Sequence, residues 1–346
     1  MKRSSGQQAK FARSFSAASR LAAFACATAM LLAGVSAHAV SCTPQAEMPA
    51  PDREAVMAAA TPIAGAIASQ NFDVLQASLL PAVIPDWEGI RGGAQAAAPL
   101  LKGGELHWRN AYFLTATELK GPTDTQFFCT TPDSSLTVTI NLRSLPPGQY
   151  ALVLGEYTGS PMDGQIALIL GFDSKWKLGG LFVREGAVSG HDGVWYWTQA
   201  RQLAKTNQPW SAWFTYDTAR LLLVPVDFLS SPNLEKLGRE QAQLKVNPVE
   251  SLPLTVSGTD GDYAGKSWKI TALRVDPTLH VPDLGLTYQG TGQSDPRAQR
   301  AEAIAVMSGF LKLHPDLRNS FHGLWAYSEM DGKQSYAIEQ AMHDIP

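Results

Sequence analysis

Cysteine and charge are both scarce in this sequence. Three cysteines in 346 residues exclude a disulfide-dense miniature scaffold, and 17% charged residues exclude a charge-laced coiled coil or an acidic disordered chain. Motifs of reaction chemistry are scarcer still. There is no Gly-x-Ser-x-Gly elbow, no phosphate-binding loop and no dinucleotide fingerprint. His-Glu-x-x-His, His-x-His and Cys-x-x-Cys spacings are absent, so the pattern names no metal ligands and no catalytic residues, and it implies no cofactor. The 45% hydrophobic fraction is that of a globular chain with room for two or three domains.

The leading segment is the first positive signal. Residues 1–39 hold five basic residues (Lys2, Arg3, Lys10, Arg13, Arg20) and no acid, and an apolar run from Leu21 to Val35 ends in Ala37-His38-Ala39. This is the pattern of a secretory signal peptide cut before Val40. The fifteen apolar residues are short of the roughly 20 that span a bilayer. Without the segment, 23 basic residues face 31 acidic ones, a net charge of −8. That balance argues against nucleic acid and anionic lipid as partners. No later run is long enough to span a membrane, so the expectation is an exported, periplasmic or extracellular protein.

Cys26 leaves with the signal, and Cys42 and Cys129 remain. In an oxidising compartment they are expected to pair. The competing reading makes Cys42 a lipoprotein cysteine, although the preceding Ala39-Val40-Ser41 lacks the usual leucine and Cys42 sits seven residues beyond the apolar core.

Residues 40–52 read as a polar tether. Val56, Met57, Ala60, Ile63, Ala64 and Ile67 then recur at helical spacing, with Pro62 interrupting the helix or starting a second one. Asn71 opens a further short helix that ends at Pro81. Residues 81–104, rich in Gly, Pro and Ala, are expected to be irregular apart from a short helix near Ala94–Leu101. From 105 to 184 the period falls to two, giving six strands expected to run as an antiparallel meander. The strands Tyr150–Tyr157 and Gln165–Phe172 are apolar on both faces.

Within this stretch, Phe172-Asp173-Ser174-Lys175-Trp176-Lys177-Leu178-Gly179-Gly180-Leu181 resembles the closing hairpin of NTF2-like (cystatin-like) domains, and Asn71-Phe72-Asp73-Val74-Leu75 resembles that family's second helix. The resemblance covers about residues 50–185 and implies a cone-shaped sheet wrapped around a helix, leaving a pocket. The family hosts enzymes, binders and inert scaffolds, so it carries no function alone.

Helical spacing returns over 191–245. Asp192 caps one helix, Pro209 opens a second and Ser231-Pro232 starts a third. The first two resemble a single tetratricopeptide-like hairpin. Residues 253–346 read as a smaller unit with strands near Leu254–Ser257, Lys266–Val275 and Leu284–Gln289, a helix from Pro296 and a closing hairpin around Asp331-Gly332. The fold class expected is α+β: an NTF2-like domain over 53–185, a helical segment, and a second α+β domain.

Nine tryptophans are the remaining hint of function. Trp87, Trp108, Tyr112, Tyr157 and Trp176 are the candidate lining of an apolar pocket in the first domain, or else the filling of its core. Trp195, Trp210 and Trp213 are a candidate partner surface, or the seam between the helices and their neighbours. Glu105, Glu118 and Glu156 are the carboxylates on which an isomerase-type or hydrolase-type site in the first domain would draw. The preferred expectation is a non-catalytic exported protein that binds a small apolar ligand or an envelope protein. The alternatives are a small-substrate enzyme and a protein–protein adaptor.

Overall fold

The structure is a computed structural model that describes residues 40–130, 136–159, 163–258 and 261–346. The expected signal peptide over residues 1–39 therefore lies outside the described residues, as do Met162, Thr259 and Asp260. Residues Val40–Pro346 form one compact unit. Among the described residues no helix is long and apolar enough to cross a membrane.

The architecture is α+β. In chain order, β1 (Ser41–Pro44) leads to α1 (Ala50–Ala68), α2 (Phe72–Ala77) and α3 (Trp87–Leu101). The long strands follow: β2 (Glu105–Thr115), β3 (Thr123–Thr130), β4 (Thr137–Leu145), β5 (Gln149–Thr158), β6 (Gly164–Asp173) and β7 (Lys175–Glu185). Two-residue strands β8 (Ala187–Val188) and β9 (His191–Asp192) precede α4 (Gly193–Lys205) and α5 (Pro209–Leu223). After β10 (Leu229–Ser230) and α6 (Pro232–Ala242), the chain closes with β11 (Leu254–Ser257), β12 (Ser267–Asp276), β13 (Asp283–Gln289), α7 (Pro296–Leu313), β14 (Gly323–Met330) and β15 (Lys333–Ala341).

Four expectations need correction. The tether over 40–52 is instead a strand and the start of a helix, because Ser41–Pro44 pairs antiparallel with Tyr112–Thr115. α3 runs for fifteen residues across the stretch read as irregular, despite Gly89, Gly92, Gly93 and Pro99. Burial of Ala94, Ala97, Ala98 and Leu101 at i, i+3, i+4 and i+7 outweighs the poor propensity. The six long strands do not form one meander. The main sheet has the order β1-β2-β5-β6-β7, while the β3–β4 hairpin leaves it and builds a second sheet in the order β10-β4-β3. Pro62 lies inside a single continuous α1.

Strand alternation explains the layering. Ala151, Val153, Ile166 and Leu168 face one core with Ile63, Ala64 and Ile67 of α1, Leu75 of α2 and Ala94 and Leu101 of α3. Their neighbours Leu152, Leu154, Ala167 and Ile169 face a second core with Phe127, Cys129, Ile140 and Leu142 of the hairpin. The Cys42–Cys129 disulfide, Cα atoms 5.2 Å apart, ties the outermost strand of the main sheet to that hairpin.

The C-terminal sheet has the order β11-β12-β13-β14-β15. β13 and β14 run parallel, which requires a crossover, and α7 supplies it. Ala303, Val306, Met307, Phe310 and Leu311 of α7 pack on Ile270, Leu284, Leu286, Leu324 and Ala326. A smaller core with Tyr196, Ala200, Tyr216, Ala219 and Leu237 joins α4, α5 and α6. The expected caps are present: Asn71, Asp192, Ser231 and Asp295 each accept a backbone N–H of the helix that follows.

Candidate functional site

Of the five aromatics named for a pocket, Trp87, Trp108, Tyr157 and Trp176 pack in the helical-side core, and Tyr112 lies apart on the other face of the sheet. Tyr112 is buried between the main sheet and the hairpin, whereas Tyr157 is buried in the core on the other face. Trp108 packs on that same helical side, donates its indole N–H to Thr61 Oγ1 at 3.1 Å and presses on Gly155, where a Cβ would sit 2.7 Å from its ring. Trp87 packs on the helical core, and Trp176 stands edge-on to Phe113 and Phe172 at 5.6 and 5.4 Å. The carboxylates of the first domain are at the surface. Glu156 pairs with Arg109 at 2.7 Å, and Glu105 lies 3.8 Å from His107.

The three tryptophans named for a partner surface separate as well. Trp210 and Trp213 pack on the C-terminal core, and Trp210 stacks on His314 at 3.5 Å between ring centroids. Asp316 strengthens that seam by accepting the Ser211 N–H at 3.1 Å. Trp195 is 39% exposed, beside exposed Val194, and carries the His191 ring stacked on it at 3.8 Å.

What the structure does bring together lies around the β12–β13 loop, Pro277–Pro282. On one side of this loop is a half-open cleft of about 530 Å³, walled by Val183 and Val188, by Leu221 and Leu222 of α5, and by Val275, Pro277, Val281 and Pro282. Charged groups edge it. Arg184 pairs with Asp227 at 2.9 Å and donates to the Val224 carbonyl at 3.1 Å, and Glu185 of β7 contacts His280 of the loop.

The loop begins at Asp276 and ends at Asp283, which are paired in the β12–β13 register and so share a face of the sheet, the face turned away from α7. Asp276 is 2% exposed and receives four donors: Tyr327 Oη at 2.8 Å, Thr278 Oγ1 at 2.6 Å, the Thr278 N–H at 3.1 Å and Arg274 at 3.1 Å. Burial alone would raise its carboxyl, but these donors win and hold it below the usual range. The Arg274 guanidinium also lies over the Tyr327 ring at 4.4 Å, and Trp325 stacks along Tyr327 at 5.9 Å.

Asp283 is fully buried, with Oδ1 3.0 Å from His322 Nδ1. Glu339 joins the pair, and the three ligand atoms that Asp283, His322 and Glu339 offer lie within 4.8 Å of one another. The β13–β14 and β14–β15 registers draw the strands that bear these residues together. Burial pushes the Asp283 carboxyl up against the opposing pull of His322, and burial followed by the nearby Asp283 and Asp344 charges pushes Glu339 up. No spacing motif marks the three positions. The only clue in the chain was a loop opened and closed by aspartates. No family model, curated protein or solved structure matches the chain.

Proposed function

We propose that this is an exported, non-catalytic binding protein, and that the cleft beside Pro277–Pro282 is its ligand seat. The observation that carries this reading is the cleft's composition: apolar walls from four separate elements under a rim of Arg184, Arg220, Glu185 and His280. A ligand with an apolar body and a polar end matches it. Covering of both faces of the main sheet favours a platform over an enzyme pocket in the NTF2-like region. Export is supported by the Cys42–Cys129 pair at bonding distance together with the basic-then-apolar leading segment. The test uses 1-anilinonaphthalene-8-sulfonate, which has an apolar body and one anionic group. Saturable binding to the wild-type protein is expected to weaken at least tenfold in Leu221→Glu, a change at a 37% exposed position. Unsaturable binding, or equal binding by the variant, would refute the assignment.

A second reading, a small-substrate enzyme, rests on the buried Asp276 carboxylate hydrogen-bonded to Tyr327. It places any acid–base chemistry on the C-terminal sheet and not in the first domain. Turnover on an isomerase and hydrolase panel that vanishes in Asp276→Asn would establish it.

A further inference from the structure

We infer that Asp283, His322 and Glu339 form a binding site for a divalent cation of the zinc type, distinct from the ligand cleft. The residues supply one imidazole nitrogen and two carboxylates, a donor set suited to borderline first-row cations. Calcium, which takes six to eight oxygens, fits it poorly. The two carboxylates offer the negative charge that such a cation balances.

Three independent features point to a ligand. Asp283 is 0% exposed and its Oδ2 meets no donor at hydrogen-bonding geometry, although the Gly323 N–H and the Trp325 indole N–H, which itself finds no acceptor, act on the carboxylate. Glu339 Oε1 is buried and equally without a partner. Buried carboxylate oxygens are normally satisfied, and each one left bare costs desolvation energy. Position 323 is a glycine at the point where the carboxylates converge. A Cβ there would lie 2.3 Å from Glu339 Oε1 and 3.0 Å from Asp283 Oδ1, so any side chain would fill the space between them.

The surroundings hold the donors in place and leave a way in. The His322 N–H donates to the Pro282 carbonyl at 3.0 Å, and its own carbonyl accepts the Met342 N–H at 2.9 Å. These bonds fix the His322 backbone between the end of the Pro277–Pro282 loop and the C-terminal turn. Asp283 has its backbone in β13, and Glu339 in β15 opposite Trp325. The His322 side chain is 51% exposed, so an ion reaches it from solvent. Three protein ligands leave at least one coordination position for water.

The experiment is titration of untagged, chelator-stripped protein with zinc chloride by calorimetry. One zinc per chain is expected. His322→Ala and Glu339→Gln are each expected to weaken binding at least tenfold while keeping the wild-type circular dichroism. His343→Ala, at the exposed His343–Asp344 pair next to the site, is expected to bind as wild type. No stoichiometric uptake by the wild-type protein would overturn the inference. So would uptake unchanged in both His322→Ala and Glu339→Gln, or uptake lost only in His343→Ala.

Discussion

The two large sheets use the same strand periodicity for opposite ends. In the main sheet both faces meet apolar partners: helices α1–α3 on one side, the disulfide-anchored β3–β4 hairpin on the other. In the C-terminal sheet α7 covers one face, and the other carries Arg274, Asp276, Asp283, Trp325, Tyr327 and Glu339. Burying both faces gives rigidity and leaves no place for a polar constellation. Leaving one face to polar residues gives up apolar packing but concentrates buried carboxyl groups of perturbed charge. On the proposed reading the first sheet serves as the platform and the second carries the polar groups.

The disulfide is where the platform is most easily broken. It closes a loop with a sequence separation of 87. The chain-entropy argument gives such a loop about 4 kcal/mol. Urea unfolding with and without reductant is expected to show a loss of that order, and an unchanged midpoint would mean that the hairpin holds without it.

A matched pair of substitutions sharpens the contrast. Tyr112→Ala removes a ring that is 6% exposed between two sheets and is expected to cost about 3 kcal/mol. Tyr327→Ala removes a partly exposed ring and one hydrogen bond to Asp276 and is expected to cost about 1 kcal/mol. Equal losses in denaturant titrations would erase the distinction between the faces.

The seam between α5 and the C-terminal core has its own signature. Burial against Trp210 pushes His314 down from 6.5 to about 4, so it is neutral in the fold where the unfolded chain would hold a proton. The unfolded state therefore binds more protons between those values. Stability contributed by this group is full above pH 6.5 and is lost as pH falls toward about 4, with no further loss below. The effect is on the order of 1 kcal/mol after allowance for partial exposure. His314→Gln is expected to flatten the stability profile in that window, and an unaltered slope would place the titration elsewhere.

Much of the secondary structure was legible because local chemistry dictates it. Period-two runs marked β2 to β7, and the side chains of Asn71, Asp192, Ser231 and Asp295 marked helix starts that they do cap. Long-range pairing was not legible. Nothing local in Thr123–Leu145 says that this hairpin leaves the main sheet and that β2 instead pairs with β5. α3 was hidden by its own glycines, and only its burial against the sheet explains it. The aromatics were visible as residues, but whether a ring on a two-sided strand lines a pocket or fills a core depends on what lies opposite. For Tyr112 the hairpin lies opposite. Asp283, His322 and Glu339 come from positions 39 and 17 residues apart, and strand register alone unites them.

Hydrogen exchange with and without saturating 1-anilinonaphthalene-8-sulfonate tests the division of labour between the sheets most directly. The account predicts new protection confined to residues 183–188, 218–222 and 276–283, with β5 and β6 unchanged. Protection along β2 around Trp108 and Tyr112 and on β7 around Trp176 would contradict it, because the ligand would then occupy the sheet assigned here as closed.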